Sequence, residues 1–140
     1  MPFWSFIVFT FMLLPLTANA TPDMTAPEAY DAVRTGKLRL IDVRTPQEWR
    51  QTGIAPGAGR VDMSRGAEHL LQGVLEATKG DRNAPIALIC RTGNRTTQVQ
   101  RFLQQQGFSN VFNVKEGMVG SAAGPGWIRR GLPVESCAAC

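Results

Sequence analysis

Few residues here can build a disulfide framework. Cysteine occurs three times in 140 residues, at Cys90, Cys137 and Cys140. That is too few for a disulfide-built scaffold, and one thiol is left over whichever pair forms. Histidine occurs once, at His69, on an expected helix, where it reads as solvated surface. Lysine supplies only three of the fifteen basic residues and forms no run, which argues against nucleic acid as a partner. Acidic residues number 11, leaving a formal charge of +4. A surplus this mild suits a small anionic substrate. No apolar run reaches the ~20 residues that a membrane-spanning helix needs.

The remaining composition is that of one globular domain. Apolar residues make up 44% and charged residues 19% of the chain. Fourteen glycines and nine prolines announce many turns and short elements. Residues 1–20 stand apart. They carry no charged side chain, are apolar from Phe3 to Leu14 except for Ser5 and Thr10, and end in Ala18-Asn19-Ala20. This reads as a secretory signal cleaved after Ala20, although no basic residue precedes the apolar core. An uncleaved membrane anchor is the competing reading. The expected domain is residues 21–135, followed by a Cys-x-x-Cys tail at 136–140, in an oxidising compartment: a periplasm or the cell exterior.

Past the signal, helix and strand patterns alternate. Thr25-Ala26-Pro27-Glu28 has the capping-box form and predicts a helix running to about Thr35. Leu38–Val43 predicts a strand, Pro46–Trp49 opens a short helix, and Gly59–Met63 is a second candidate strand. Ala67, Leu70, Leu71, Val74 and Leu75 share helical spacing within an expected helix from Ser64 to about Lys79. Pro85–Ile89 is apolar on both faces, as a central parallel strand should be. A helix over Arg95–Gln106, a strand over Asn110–Val114, and a return to helix and loop after Glu116 complete the pattern. Strands separated by helices predict an α/β fold, a central, mostly parallel sheet flanked by helices. In such sheets ligands gather at the carboxyl ends of the strands. Two polar clusters fall there: Asp42-Val43-Arg44, and Cys90 to Arg95.

The second cluster carries chemistry. Cys90-Arg91-Thr92-Gly93-Asn94-Arg95-Thr96 joins the central strand to a helix. Loop N–H groups and the positive end of the helix dipole favour an anion there, and two arginines flank it. Such surroundings favour a thiolate, the nucleophilic form of cysteine. Gly93 lets the backbone curl around the sulfur. An isolated cysteine at a strand end is often only a small buried residue; the two arginines and the glycine argue for a reactive one.

This loop resembles the active-site loop of rhodanese-like sulfurtransferases, Cys-Arg-x-Gly-x-Arg followed by Ser or Thr. The likeness extends over nearly all of residues 21–135. Leu40-Ile41-Asp42-Val43-Arg44, Glu48-Trp49 and Gly57-Ala58 are similar to the family's first motif. Gly107-Phe108, Val111 and Asn113-Val114 are similar to the strand after the loop helix, and Glu116-Gly117-Met118, Trp127 and Gly131-Leu132-Pro133-Val134 to its closing segment. Two departures concern the rim of the pocket. The His expected in the turn is absent from Gly53-Ile54-Ala55-Pro56-Gly57-Ala58, which is also one residue longer, and Met118–Gly126 holds inserted residues.

The resemblance implies covalent sulfur transfer in two steps. Cys90 would take the outer sulfur of a small anionic donor, thiosulfate or a persulfide, and pass it to cyanide, a thiol or a protein. Arg91 and Arg95 would hold the donor, with Thr92, Gly93 and Asn94 lining the sulfur site; Arg95 could equally fix the loop by pairing with a carboxylate. Asp42 and Arg44 read as scaffold, and Trp49 and Trp127 as core or pocket wall. No metal or organic cofactor is required. A cysteine phosphatase, the enzymatic rival on this fold, would place its arginine where Thr96 stands. A module that binds a partner or carries sulfur without turnover is the alternative of another class.

Cys137-Ala138-Ala139-Cys140 supports several readings: a tail disulfide without a role, two soft metal ligands lacking the other two a closed site needs, or a redox or relay pair for Cys90.

Overall fold

Thr25 opens helix α1 (Ala26–Arg34) and Thr45 opens helix α2 (Pro46–Thr52) by the same local device. Each threonine hydroxyl accepts the N–H of the glutamate three residues on, and that glutamate's carboxylate accepts the threonine N–H in return. Proline in the first turn of each helix removes a donor that would have no intrahelical partner. The coordinates, a computed structural model, describe Met1 and residues 22–140. All but Met1 of the expected signal, and its cleavage point after Ala20, lie outside the described residues.

The strands are β1 (Asp23–Met24), β2 (Arg39–Asp42), β3 (Gly59–Arg60), β4 (Ile86–Ile89) and β5 (Val111–Val114). They form one sheet in the order β1-β5-β4-β2-β3, with every pairing parallel. β4 lies at its centre and is buried on both faces, which explains its unbroken apolar sequence. Helices α3 (Ala67–Ala77) and α4 (Asn94–Gln105) cover one face, packing Leu70, Val74, Val99 and Leu103 on Ile41, Val43, Leu88 and Cys90. On the other face α1 places Ala26 and Ala29 against Leu40, Ala87, Ile89 and Val114, with Met118 and Trp127 filling the same layer. The predicted α/β class therefore stands, as three layers around a parallel sheet.

Three local expectations are corrected and one strand is added. The regular strand β3 ends at Arg60 rather than Met63, although the Val61 and Met63 N–H groups still donate to the Asp42 and Val43 carbonyls at 3.0 and 3.3 Å. The Asp62 carboxylate accepts the Ser64 N–H at 2.9 Å and a 3₁₀ turn follows at Met63–Arg65. The helix expected from Ser64 begins at Ala67, after a cap at Gly66. β1 has no counterpart in the sequence pattern, since two residues carry no periodicity; pairing of Asp23 with Asn113 creates it. No helix follows Glu116 among the described residues. The buried Glu116 carboxylate instead gathers the N–H of Ala26 at 2.7 Å, the N–H of Gly126 at 2.8 Å and the Arg130 guanidinium at 2.8 Å, tying the start of α1 to the turn at 126–130. Burial pushes this carboxyl up, but Arg130 and the two N–H donors outweigh it and hold it below the usual range.

Candidate active site

Cys90 is the first residue past β4, at the carboxyl edge of the sheet. Its carbonyl accepts the Met118 N–H at 2.9 Å, and the Arg91 carbonyl accepts the Val119 N–H at 3.0 Å. Residues 115–119 thus form a strap behind the loop. The contact is close enough that only glycine fits at two points. Gly93 has φ +86°, and a Cβ there would stand 2.0 Å from the Lys115 carbonyl oxygen. A Cβ at Gly117 would stand 2.3 Å from the Arg91 carbonyl oxygen. Gly93 does more than curl the loop, then: it lets the strap close on it.

The Cys90 side chain is buried, with the residue 1% exposed. Its sulfur accepts the Gly93 N–H at 3.1 Å and lies 3.4 Å from Thr96 Oγ1. The Thr96 hydroxyl in turn reaches the Gly93 carbonyl at 3.1 Å. Gly93 is the N-cap of α4 and has no side chain with which to cap it. The first N–H groups of that helix consequently lack a capping acceptor and turn their partial positive charge toward the loop. The arrangement is a buried sulfur at a helix N-terminus, in a turn able to stabilise negative charge on it or on an atom bound to it. The loop also borders a cleft of about 390 Å³ lined by Thr92, Gly93, Asn94, Thr97 and Lys115.

The two loop arginines have different surroundings. Arg91 is exposed. Arg95 grips Glu48 at two points, Nη1 to Oε2 at 2.8 Å and Nη2 to Oε1 at 2.6 Å. Of the two roles the sequence leaves open for Arg95, the geometry displays the pairing with a carboxylate. The hydrogen bonds from Arg95 hold the Glu48 carboxyl down to about 2, against the opposing push of burial and with help from the Thr45 N–H. Glu48 also completes the cap of α2, so one carboxylate fastens that helix to the loop.

Asp42 and Arg44 are both buried and form a fork beside the site. Arg44 Nε and Nη2 donate to the Asp42 carboxylate at 2.8–3.1 Å, and its remaining donors reach Thr52 Oγ1 at 2.7 Å and the Gly53 carbonyl at 3.0 Å. The pair joins the end of β2 to the end of α2, while the Val43 N–H donates to the Ile89 carbonyl at 3.0 Å, one residue before Cys90.

Cys90, Gly93 and Thr96 therefore come together, with Thr92 and Asn94 bordering the cleft and Arg95 fastened to Glu48. Cys137 and Cys140 form a disulfide elsewhere, against Arg50 and Arg60. Sequence reasoning missed Glu48, the strap at 115–119 and the Glu116 network. The capping pattern of Thr45 and Glu48 signals a helix start, but nothing local marks a partner 47 residues away.

Comparison with known proteins agrees with this geometry. The family described as Rhodanese-like domain matches residues 25–123. A sulfurtransferase of Allochromatium vinosum is 33% identical over 100 residues, covering 71% of this chain and 80% of that protein. In fold, the chain is similar to a rhodanese-related protein of Thermoplasma volcanium, with a TM-score of 0.61, 24% identity, and coverage of 83% of this chain and 99% of that one. It is also similar to the polysulfide-sulfur transferase homodimer of Wolinella succinogenes, with a TM-score of 0.63, 23% identity, and coverage of 82% and 78%. From sheet order, loop and family match together, the chain belongs to the rhodanese-like domain family.

Proposed function

We propose that the protein is a sulfurtransferase that carries sulfane sulfur as a persulfide on Cys90. The observation that carries this reading is the Cys90 sulfur held by the Gly93 N–H at the uncapped start of α4. The family match and the relative named as a sulfurtransferase support sulfur transfer in general.

In the first step the Cys90 thiolate attacks the outer sulfur of thiosulfate, or of a persulfide donor. The donor's S–S bond breaks, and sulfite or a thiolate leaves with the electron pair. In the second step a thiolate or cyanide attacks the sulfur now carried by Cys90, and the Cys90 thiolate returns. Dividing one transfer into two displacements is covalent catalysis, and the loop N–H groups stabilise the charge that develops on sulfur. Arg91, exposed at the loop, attracts the anionic donor, and Arg95 positions the loop through Glu48. The domain works after export, residues 1–20 being removed past Ala20; N-terminal sequencing of protein recovered from the periplasm or medium checks this.

The test is intact mass. With the tail disulfide closed, thiosulfate without acceptor should add one sulfur, about 32 Da, lost again on adding cyanide and never gained by Cys90→Ser. Wild-type protein that stays at its starting mass with both thiosulfate and a persulfide donor would leave the alternative, a module that binds a partner without turnover.

A further inference from the structure

The C-terminal disulfide is docked rather than trailing. Glu135 pairs with Ile54 through two backbone hydrogen bonds, at 2.9 and 2.8 Å, which anchors the chain just before the tail. Arg50 Nη1 donates to the Cys140 carbonyl at 3.0 Å. Arg60 Nη1 lies 3.2 Å from Cys137 Sγ and also contacts Cys140 Sγ, and its guanidinium sits 5.8 Å from the Trp49 ring centre. Disulfide sulfurs are weak acceptors that need no cation. A guanidinium against both of them stabilises the thiolate produced when the bond opens, which favours the reduced pair and activates it.

The same helix touches both sulfur sites. Glu48 holds Arg95 of the Cys90 loop, while the next two residues of α2, Trp49 and Arg50, hold Arg60 and Cys140. Across the sheet, Ile89 pairs with Asp42 and Asp42 with Arg60, so Arg60 lies two strand spacings from the residue before Cys90, about 10 Å. The five residues after Glu135 span roughly 17 Å when extended, enough to cover that separation. The contacts from Arg50 and Arg60 are exposed ones, which cost little to release.

We propose that Cys137 and Cys140, when reduced, form a second thiol site that accepts the sulfane sulfur and releases it as hydrosulfide. This rests on Cys90 carrying the persulfide. One tail thiolate attacks the outer sulfur of Cys90–S–SH; that S–S bond breaks and its electron pair returns to Cys90. The outer sulfur is now a persulfide on the tail. The other tail thiol attacks the cysteine sulfur bearing it, the disulfide closes, and the outer sulfur leaves as hydrosulfide. Two thiols are oxidised by two electrons in all, and one sulfane sulfur is reduced to sulfide. A dithiol reductant, the co-reactant class this cycle requires, reopens the tail.

The experiment starts from protein reduced with a dithiol that is then removed, and adds one equivalent of thiosulfate without other acceptor, so that Cys90 is not reloaded once the tail has closed. Reduced wild type should release one equivalent of hydrosulfide and finish about 2 Da below its reduced mass, with the tail disulfide closed. Cys137→Ser/Cys140→Ser should instead remain about 32 Da heavier and release less than a tenth as much. Cys90→Ser should do neither. Arg60→Gln should slow release about tenfold and move its pH profile upward, with Arg60→Lys restoring both. If reduced wild type keeps the added sulfur as long as the double variant does, the tail is no acceptor, and the Cys90 reading stands. Hydrosulfide release by Cys90→Ser would overturn the order of transfer. If neither wild type nor the double variant takes up sulfur, the Cys90 reading fails and the relay with it.

Discussion

Glu48 and Arg95 meet through two parallel hydrogen bonds, 2.6 and 2.8 Å long, although 47 positions separate them in the chain. The pair is only partly exposed, 18% at Glu48 and 33% at Arg95, so water screens it less than a surface ion pair. It ties the helix after β2 to the turn after β4 and thereby sets where the Cys90 loop stands.

Glu48→Gln should therefore destabilise the fold by roughly 1–2 kcal/mol and lower sulfur loading without abolishing it. The pH dependence has a definite sign. The folded-state carboxyl sits at about 2, below its unfolded value of 4.5. The stabilisation is thus fully present above about pH 4.5 and is lost as pH falls through about 2. Urea unfolding of both proteins across that window checks it: the gap between them should narrow as the solution is acidified.

Gly93→Ala meets two obstacles, the positive φ and the 2.0 Å approach to the Lys115 carbonyl. The loop and the strap must part, at a cost of about 2–4 kcal/mol, and the Gly93 N–H moves off the Cys90 sulfur. Thermal unfolding and thiosulfate loading should both suffer. A variant of full stability and full loading would contradict the close packing of strap on turn.

Asp42→Asn leaves the Arg44 guanidinium buried without its counter-charge. Removing one member of a buried pair typically costs about 3–5 kcal/mol, so this change should be more damaging than Glu48→Gln or Gly93→Ala. Calorimetric unfolding measures it. Replacing both residues by apolar ones of similar volume should recover much of the loss, because no unpaired charge then remains.

Arg91→Ala should leave stability within about 0.5 kcal/mol, since the side chain is exposed. If it attracts the anionic donor, KM for thiosulfate should rise roughly five- to tenfold with kcat little changed, and its dependence on salt should weaken. Steady-state rates at two ionic strengths separate this outcome from a structural effect, which would lower kcat as well.

Much of the site is legible in the sequence because its parts are neighbours in the chain. The run Ile86–Thr96 contains a buried strand, the thiol, the glycine and the helix start in succession, so local backbone geometry alone brings Gly93 and Thr96 to the Cys90 sulfur. Asp42 and Arg44 are two residues apart and pair for the same reason. The hidden contacts are those across the fold. Arg95 has two open roles in the sequence, and only the fold sets Glu48 beside it. The pattern after Glu116 predicts a partial return to helix, yet the Glu116 carboxylate binds donors at positions 26, 126 and 130 and holds the chain in turns.

The tail shows where the division lies. Cys-x-x-Cys spacing permits a disulfide by itself, because residues three apart in a turn bring their Cα atoms to 5.3 Å. That Arg60 lies against both sulfurs depends on β3 joining the sheet edge and on Glu135 pairing with Ile54, relations no local pattern encodes. Sequence by itself determined the alternation of elements, the parallel sheet and the loop with its thiol, since hydrophobic period, caps and turns act over a few residues. Tertiary structure alone decided which charges distant in the chain meet, because those encounters arise only after strands far apart in the chain have paired in register.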